Sequence, residues 1–247
     1  MNYESIEQIM RTLKLGGLAK EWRSVIHHDN EQYMRDLLDI EIREREANRM
    51  ARMVKQANFR VVKTLDDFVW KPTIEVPATI TREDIENADF VKRKENLVLM
   101  GVHGTGKTHL ATAIAMNLCE KGRRVRFYTA TGLANILQEK HQRGTLTNFM
   151  TSLRKVELLV LDEVGFITLH EEASELLFQV VSDCYEQKSL IITSNLEFSQ
   201  WNTIFGNDKL TAAMIDRLIH HSHILVFSGP SHRLEESVLR QRGGGKV

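Results

Sequence analysis

Cysteine is scarce in this sequence, its charge is balanced, and long apolar runs are missing. The two cysteines, Cys119 and Cys184, lie far apart without metal-ligand spacing, so we expect core thiols in a reducing cytoplasm. With 33 basic and 33 acidic residues the formal net charge is +0, so any nucleic-acid surface must be a local patch. No apolar run could span a bilayer and the first residues do not resemble a signal peptide. These absences exclude a membrane protein and predict a cytoplasmic one.

What the sequence does contain is a phosphate-binding loop. Residues 101–108 read Gly-Val-His-Gly-Thr-Gly-Lys-Thr and match the pattern G-x-x-x-x-G-K-[ST] at every fixed position. The glycines would let backbone N–H groups curl around a phosphate, and Lys107 would place its charge on the β- and γ-phosphates. The Thr108 hydroxyl could ligate Mg²⁺. An apolar strand at 96–100 and a helix at 109–115 flank the loop, which makes a chance glycine-rich turn the weaker interpretation.

Strands and helices alternate from Asn96 onward. Near-continuous apolar runs predict five strands, at 96–100, 124–128, 157–161, 189–193 and 223–227. Apolar periodicity predicts helices between them, at 130–142, 146–153, 172–187 and 209–221. This alternation is typical of an α/β protein with a parallel sheet covered on both faces. It places the phosphate-binding loop at the carboxyl edge of the sheet.

Polar residues at the ends of two later strands could complete a nucleotide site. Asp162 ends the third strand, where it could hold a water on Mg²⁺, and Glu163 could orient and deprotonate an attacking water. This pair favours hydrolysis over the transfer that a small-molecule kinase performs. Asn195 follows the fourth strand and could reach the γ-phosphate or the attacking water, although a strand-end turn also suits it.

Arg217 lies late in the helix before the fifth strand, and two interpretations of it stay open. It could pair with Asp216 or Asp208 in its own chain. It could instead reach the nucleotide of a neighbouring subunit, because a guanidinium suits dispersed phosphoryl charge.

Three histidines close together, His220, His221 and His223, invite a zinc hypothesis. No cysteine or carboxylate completes tetrahedral spacing around them. We therefore interpret this stretch as a helix end that enters a strand.

The first part of the chain reads as helical. Apolar periodicity predicts a helix from Ile6 that Gly16-Gly17 ends, a second stripe from Leu18, and a third helix from Tyr33 to Ala57. Three arginines share one face of this third helix by spacing: Arg45, Arg49 and Arg52. A solvated face and a phosphate-contacting face are equally good interpretations of them.

A connector follows at residues 61–77, with no long apolar period. It contains Phe68 and Trp70, which could pack over a nucleotide base. Packing on the protein core alone is an equally good interpretation of these two rings.

The stretches that identify a family are 14–19, 63–68, 104–111, 161–166, 193–196, 198–201, 216–221 and 229–234. Together they resemble the AAA+ ATPase superfamily, and within it the DnaC/IstB branch. Most narrowly they resemble IstB, the ATP-binding helpers of insertion-sequence transposases. The phosphate-binding loop alone is unspecific. Ser-Asn-Leu with Phe-Ser-Gln-Trp at 194–201, and Asp-Arg-Leu-Ile-His-His at 216–221, are the stretches that indicate IstB.

The resemblance implies a role for each residue of the site. Lys107 and Thr108 would be Walker A residues, and Asp162 and Glu163 Walker B residues. The catalytic residues would be Glu163, Asn195 as sensor 1, and Arg217 as an arginine finger. Residues that contact the nucleotide would be Gly101, Val102, His103, Gly104, Thr105, Gly106, Lys107, Thr108, His109, Asp162 and Arg233, the last as sensor 2. Mg²⁺ would be held by Thr108 and Asp162.

The resemblance also implies a fold and a function. The expected fold is a small all-helical domain, residues 1–62, followed by an AAA+ core, residues 63–247, with a five-stranded parallel sheet and no helical lid domain. The expected activity is hydrolysis of ATP with Mg²⁺. The expected function is a homo-oligomeric regulator that binds duplex DNA and assists an IstA-like transposase in choosing its target. A DnaC-like replicative helicase loader is the alternative.

One surface for DNA is expected from the resemblance, between the second and third predicted strands. In the DnaC/IstB branch this region carries an added helical element that faces the nucleic acid. The basic residues that flank its polar turn are Lys140, Arg143, Arg154 and Lys155. A solvated helix pair is the alternative interpretation.

Overall fold

The structure is a computed structural model that describes residues 6–27 and 29–231. The chain forms two compact units that divide between Met53 and Val54, inside a long helix. The predicted boundary at residue 62 falls in the connector instead, and the division into two functional domains stays a prediction. Among the described residues, no helix has both the length and the apolar character that crossing a membrane requires.

The N-terminal unit contains helices α1 (Ile6–Thr12), α2 (Gly16–Glu21) and most of α3 (Asn30–Ala57). The third predicted helix is therefore confirmed to Ala57. The prediction that Gly16-Gly17 ends the first helix was wrong, because α1 ends at Thr12 and the two glycines begin α2. Lys14 takes the left-handed conformation with φ +58°. The N–H groups of Lys14 and Leu15 then return to the carbonyls of Arg11 and Met10, a common way to end a helix.

A buried carboxylate explains why α2 begins at the glycines. Glu41 of α3 accepts hydrogen bonds from the backbone N–H groups of Gly17 (2.9 Å) and Leu18 (3.1 Å). These donors lie in the first turn of α2 and have no partner within that helix. A side chain on Gly17 would collide with Glu44 of α3, so only glycine permits this close approach.

The second unit is built on one six-stranded sheet. Its strands are β1 (Ile74–Glu75), β2 (Asn96–Gly101), β3 (Val125–Thr129), β4 (Leu158–Val164), β5 (Ser189–Ser194) and β6 (Ser222–Phe227). They lie in the order β1-β6-β2-β5-β4-β3. The five predicted strands are β2 to β6, and all of them run parallel as expected.

The sixth strand, β1, is a correction to the expected five-stranded sheet, and it lies in the connector. Its two residues pair antiparallel with β6 at the edge of the sheet, Ile74 with Phe227 and Glu75 with Val226. Pro72 and Pro77 flank this short strand. Prolines cannot donate to a ladder, so they fit only at such an edge and keep the strand short.

Helices cover both faces of this sheet. They are α4 (Arg82–Asn87), α5 (Asp89–Lys92), α6 (Lys107–Glu120), α7 (Ala130–Gln142), α8 (Leu146–Arg154), α9 (Glu171–Cys184), α10 (Asn202–Phe205) and α11 (Asp208–Ile219). The predicted helix at 130–142 is confirmed residue by residue. The helix predicted to reach Gln187 ends at Cys184, because the next residue, Tyr185, leaves helical geometry with ψ 123° and Glu186 then takes a left-handed conformation with φ +56°.

Apolar side chains from the strands form the core between these helices. Leu97, Val98 and Leu99 of β2 are fully buried, as a strand covered on both faces requires. Both cysteines are buried as predicted, and burial raises the pKa of Cys119 to about 11 and that of Cys184 to about 12. Both thiols therefore stay protonated near neutral pH and pack as small apolar groups.

Candidate nucleotide site

The phosphate-binding loop lies between the end of β2 and the start of α6, as the sequence predicts. Gly101, Gly104 and Gly106 have φ values of +135°, +76° and +105°, which side-chain-bearing residues rarely adopt. A Cβ atom on Gly101 would also collide with the backbone of Phe227 in β6. The loop can therefore form only with glycine at these points. Its backbone leads into the N-terminus of the 14-residue helix α6, where N–H groups without helical partners favour an anion.

Lys107 places its ammonium group inside this loop. Its Nζ atom donates hydrogen bonds to the carbonyl oxygens of Gly101 and Val102, both at 2.6 Å. The residue is 8% exposed, so most of its aliphatic chain is covered by protein. The charge is thus held at the turn of the loop.

Three oxygen-bearing side chains meet next to the loop. The Thr108 hydroxyl donates to Asp162 Oδ1 at 2.8 Å, and the Thr193 hydroxyl donates to the same oxygen at 2.6 Å. The three residues come from α6, β4 and β5, which are brought together because β5 lies between β2 and β4. Asp162 is 4% exposed. A hydroxyl beside a buried carboxylate is the hard oxygen set that Mg²⁺ prefers, so these residues fit the predicted metal.

A bulge in β4 separates Asp162 from Glu163. Leu161 pairs with Ile192 and Val164 with Ser194, so β4 has one more residue than β5 between these two pairs. Glu163 takes a left-handed conformation with φ +60°, and its N–H donates to Thr193 Oγ1 at 2.9 Å. Bulges re-aim side chains next to active sites. Here the bulge leaves Asp162 buried and Glu163 exposed at the carboxyl end of the sheet.

Thr193 is the residue of this site that the sequence analysis missed. Asn195 was predicted at the end of the fourth strand, and it lies half-buried just after β5. The side chain that contacts Asp162, however, belongs to Thr193, two residues earlier. The polar run Thr193-Ser194-Asn195 was the only signal, and it does not show which residue faces β4.

We expect Thr193→Val to lower the free energy of unfolding by about 1–3 kcal/mol, because it removes the buried donor to Asp162 and leaves the partly buried N–H of Glu163 without this acceptor. Denaturant unfolding would measure this loss. Thr112→Val is the matched control, since that buried hydroxyl donates only to the carbonyl of Thr108 within helix α6. Equal losses from the two variants would contradict a special role for the Thr193 hydroxyl.

Arg217 lies at the opposite end of the sheet from the loop. The carbonyl of its neighbour Leu218 lies 3.5 Å from Nδ2 of Asn96, the first residue of β2, whereas the loop follows the last residue of that strand. The Arg217 guanidinium lies 5.0 Å from the ring centroid of Phe178, and Nη1 donates to the carbonyl of Ala213. Within the described residues Arg217 forms no ion pair with Asp208 or Asp216, so the local pairing that the sequence left open is absent there.

The predicted sensor 2 residue, Arg233, lies outside the described residues. The chain leading towards it can be followed to Ser231. A Cβ atom on Gly104 would collide with the Ser231 side chain, so this segment runs against the phosphate-binding loop. The described residues also end there, and the expectation that no helical lid follows the last strand lies beyond them.

The connector reaches the loop through Phe68. A Cβ atom on Gly106 would lie 3.4 Å from Phe68 Cε2, and the Phe68 ring stands edge-to-face with those of His109 and Trp70, at 5.5 and 5.2 Å. His109 Nε2 also lies 3.3 Å from the carbonyl of Thr64. Phe68 thus borders the loop, whereas Trp70 turns away and donates to Glu86 at 2.6 Å.

The four basic residues near the α7–α8 turn are on the surface as expected. Arg143 pairs with Glu139 at 2.8 Å and Arg154 with Asp183 at 2.9 Å. Arg143, Arg154 and Lys155 are exposed and Lys140 is half-buried. Exposed ion pairs contribute only about 0–1 kcal/mol. These two pairs would therefore give way to a phosphate at little cost.

The arginines of α3 differ from one another in their contacts. Arg45 donates to Glu41 at 2.7 Å and to the carbonyl of Lys14 at 3.2 Å. It therefore supports the carboxylate that begins α2. Arg52 donates to the carbonyl of Asn48, one turn earlier in the same helix. Arg49 lies between them along the helix, and phosphate contact by this face stays a prediction.

The fold and the site together define a class of protein. A phosphate-binding loop follows the central parallel strand β2, and an acidic pair lies near the end of β4, which is separated from β2 by β5. This combination is that of an AAA+ P-loop nucleotide-binding protein. The chain matches the family model described as IstB-like ATP binding protein over residues 9–239, and it belongs to that family.

Individual relatives agree with this assignment. The putative ATP-binding protein of insertion sequence IS5376 from Geobacillus stearothermophilus is 33% identical over 244 residues, covering 96% of this chain and 97% of that protein. The putative ATP-binding protein of insertion sequence IS21 from Pseudomonas aeruginosa is 38% identical over 189 residues, covering 76% and 70%.

Solved structures show the same fold. The DnaC helicase loader aligns with a TM-score of 0.53 at 24% identity, covering 66% of this chain and 96% of that one. AMPPCP-bound DnaA from Aquifex aeolicus aligns with a TM-score of 0.57 at 22% identity, covering 75% and 56%. At these identities the likeness concerns the fold alone.

Proposed function

We propose that this protein is a Mg²⁺-dependent ATPase that assists a transposase in selecting target DNA. The observation that carries the ATPase part is the cluster of Thr108, Asp162 and Thr193 beside the Lys107 ammonium. It combines a cationic loop for phosphates with oxygen ligands for a hard cation. The exposed Glu163 next to it adds a carboxylate that can act on water.

Each residue then has a task in hydrolysis. Lys107 and the N–H groups of the loop bind the β- and γ-phosphates. Thr108 and Asp162 hold Mg²⁺, which when bound neutralises phosphate charge. Glu163 accepts a proton from the attacking water, and Asn195 orients that water or the γ-phosphate. Arg233, two residues beyond Ser231 in the sequence, acts as sensor 2.

Phe68 is the best candidate for a contact with the nucleotide base. It lies against Gly106 and His109 at the start of α6, where a nucleotide bound through its phosphates would extend. An aromatic ring there offers an apolar face to a base. This supports the first of the two interpretations that the sequence left open for Phe68.

We expect Lys107→Ala to weaken ATP binding by roughly 10- to 100-fold, the value of a lost charge-assisted hydrogen bond. Wild-type protein should gain about 2.7 kcal/mol of stability at ATP concentrations one hundred times Kd. Thermal melting with and without Mg-ATP measures both the weakened binding and the gain in stability.

The control for Lys107→Ala must be a lysine on the surface. Lys188 is unsuitable, because its buried ammonium donates to the carbonyl of Leu153. Lys121→Ala, on the surface, should leave the shift unchanged. A wild type whose melting ignores Mg-ATP would contradict the site.

The link to transposition rests on the relatives. Those aligned over most of this chain are described as ATP-binding proteins of insertion sequences, which supports a transposase as the partner. The likeness to the DnaC loader concerns the fold, so it does not favour helicase loading. We infer that the protein assembles as a homo-oligomer on duplex DNA and there contacts an IstA-like transposase.

The test is a binding assay with duplex and single-stranded DNA, with and without ATP, followed by addition of an IstA-like transposase. We expect ATP-dependent binding to duplex DNA of any sequence and recruitment of the transposase to it. Preference for single strands, together with binding to a hexameric helicase, would favour the loader instead.

We expect Arg143→Glu combined with Lys155→Glu to weaken binding to duplex DNA and to make its salt dependence shallower. Each lost phosphate contact should reduce the slope of log K against log salt by about 0.9. Fluorescence anisotropy at several salt concentrations measures both quantities.

The matched control reverses Lys92 and Lys121, two exposed lysines outside the α7–α8 region, and changes the net charge equally. If both double variants weaken DNA binding to the same extent, the effect is one of net charge. The α7–α8 surface would then be a solvated helix pair.

A further inference from the structure

A second group of side chains that could bind a metal lies at the end of the sheet opposite the nucleotide site. It contains Glu186, which follows Tyr185 in the turn after α9, and His220 and His221 at the end of α11. The carbonyl of His221 accepts a hydrogen bond of 2.7 Å from the N–H of Asn96, the first residue of β2. The cluster is therefore separated from the nucleotide site by the length of that strand.

The predicted helix end that enters a strand is confirmed for this stretch, because α11 ends at Ile219 and β6 begins at Ser222. A carboxylate nevertheless lies beside the histidines in space. Glu186 comes from a different part of the chain, so spacing along the sequence could not show it. Ligand atoms of Glu186, His220 and His221 all lie within 4.8 Å of one another. Among the described residues, this is the one group of three such side chains that close together.

The distances suit a zinc ion. Zinc bonds of about 2.0–2.2 Å in a tetrahedron place neighbouring ligand atoms about 3.4 Å apart. His221 Nε2 and Glu186 Oε1 are already 3.4 Å apart. The ligand atom of His220 lies within 4.8 Å of both, and all three residues are exposed. Imidazole nitrogen with one carboxylate oxygen is a common ligand set for this ion.

The surroundings orient the ligands. The Tyr185 hydroxyl lies 3.2 Å from His220 Nδ1, which leaves Nε2 of that ring for a metal. Metal-bound histidines usually have such a partner on their second nitrogen. The two histidine rings lie 4.3 Å apart at 81°. Glu186 itself takes a left-handed backbone conformation with φ +56°.

His223, the third histidine of the stretch, has a different environment. It is buried, its Nε2 lies 3.0 Å from Glu95 Oε2, and its Nδ1 lies 2.9 Å from the Thr79 hydroxyl. Both ring nitrogens are therefore used in the core. This division, one histidine inward and two outward, explains why all three cannot act as one set.

We propose that Glu186, His220 and His221 bind a single Zn²⁺ ion, with solvent in the remaining position. The ion would tie the turn after α9 to the end of α11. Because Arg217 and its stacking partner Phe178 lie on these same two helices, bound zinc would stiffen the element that presents Arg217. This inference does not depend on ATP hydrolysis.

The test is titration of tag-free protein, stripped with EDTA and dialysed, with Zn²⁺ by calorimetry in saturating Mg-ADP. We expect one equivalent to bind. His220→Ala, His221→Ala and Glu186→Gln should each weaken binding by about tenfold or more, and Tyr185→Phe by about tenfold. His141→Ala is the matched control, because His141 lies 3.8 Å from Glu172 in a pair with no third ligand among the residues that the structure describes. It should bind Zn²⁺ like the wild type.

Two results would overturn the proposal. One is a wild type that binds no Zn²⁺ at 100 times the protein concentration. The other is undiminished binding by the His220→Ala/His221→Ala double variant. Thermal melting in EDTA checks that each variant is folded. If the double variant melts at a lower temperature than the wild type, Glu186→Gln is used instead, and Zn²⁺ binding by Glu186→Gln equal to that of the wild type overturns the proposal.

Discussion

Glu163→Gln is expected to bind ATP as tightly as the wild type and to hydrolyse it about 100-fold more slowly or worse. The amide keeps the shape of the side chain but cannot accept the proton of the attacking water, and such general bases contribute about 10²–10⁴ in rate. Binding by a fluorescent ATP analogue and phosphate release under saturating ATP measure the two effects separately. The variant should also accumulate in the ATP-bound, DNA-bound assembly.

The backbone at Glu163 supports a functional role. A residue other than glycine with φ +60° inside a strand costs about 1–3 kcal/mol and persists where function requires it. Glu163→Gly would remove the carboxylate and relieve this strain. It should hydrolyse ATP as slowly as the glutamine variant while melting no lower than the wild type. Slow hydrolysis can then not be attributed to a damaged fold.

Glu175→Gln provides the matched control, because Glu175 is an exposed glutamate on α9. It should leave turnover unchanged. If Glu163→Gln turns over ATP at the wild-type rate, another group activates the water. The Asp162 cluster would then be the place to look for it.

The sequence predicts the sheet and the loop well because both are local patterns. A strand buried on both faces is an apolar run, and β2, β4 and β5 have such runs. The phosphate-binding loop is recognisable because its backbone needs glycine and its chemistry needs Lys107. Both can be recognised without knowing how one strand lies against another.

Contacts between strands are harder to predict. Thr193 reaches Asp162 only because β5 pairs with β4 in a particular register, and a bulge at Glu163 changes that register by one residue. The two-residue strand β1 forms because β6 offers an edge, not because its own residues favour a strand. Glu186 and the two histidines likewise meet only through the packing of α9 and α11. Such features become visible when the register and the packing are known.

Arg217→Ala is expected to bind ATP nearly normally and to hydrolyse it about a thousandfold more slowly, the effect of an arginine supplied from a neighbouring subunit. The reason for this expectation is the position of Arg217. It lies at the opposite end of the sheet from the phosphate-binding loop of its own chain, near Asn96, the first residue of β2. No Asp partner holds it among the described residues, and its charge lies over the Phe178 ring. Steady-state ATPase assays on DNA measure the loss.

A purely structural role would have a different signature. If Arg217 served only to stack on Phe178, then Phe178→Leu would slow hydrolysis as much as Arg217→Ala. Cation–π contacts at such sites contribute about 0.5–2 kcal/mol to stability, so both variants would also melt earlier by similar amounts. We expect instead that Phe178→Leu keeps most of its ATPase activity. Arg217→Lys should behave like the alanine variant, because an ammonium cannot form the planar, two-pronged contact of a guanidinium.

Mixing two inactive variants tests the role between subunits. Glu163→Gln subunits cannot hydrolyse ATP at their own sites but still carry Arg217. Arg217→Ala subunits have an intact Glu163 and lack only the arginine. Joint oligomers would place the Arg217 of the first beside the nucleotide of the second, so turnover should recover as the two are mixed, with a maximum at intermediate ratios. Joint oligomers that show no recovery at any ratio would mean that Arg217 does not act across subunits, and its contact with Phe178 would then be its function.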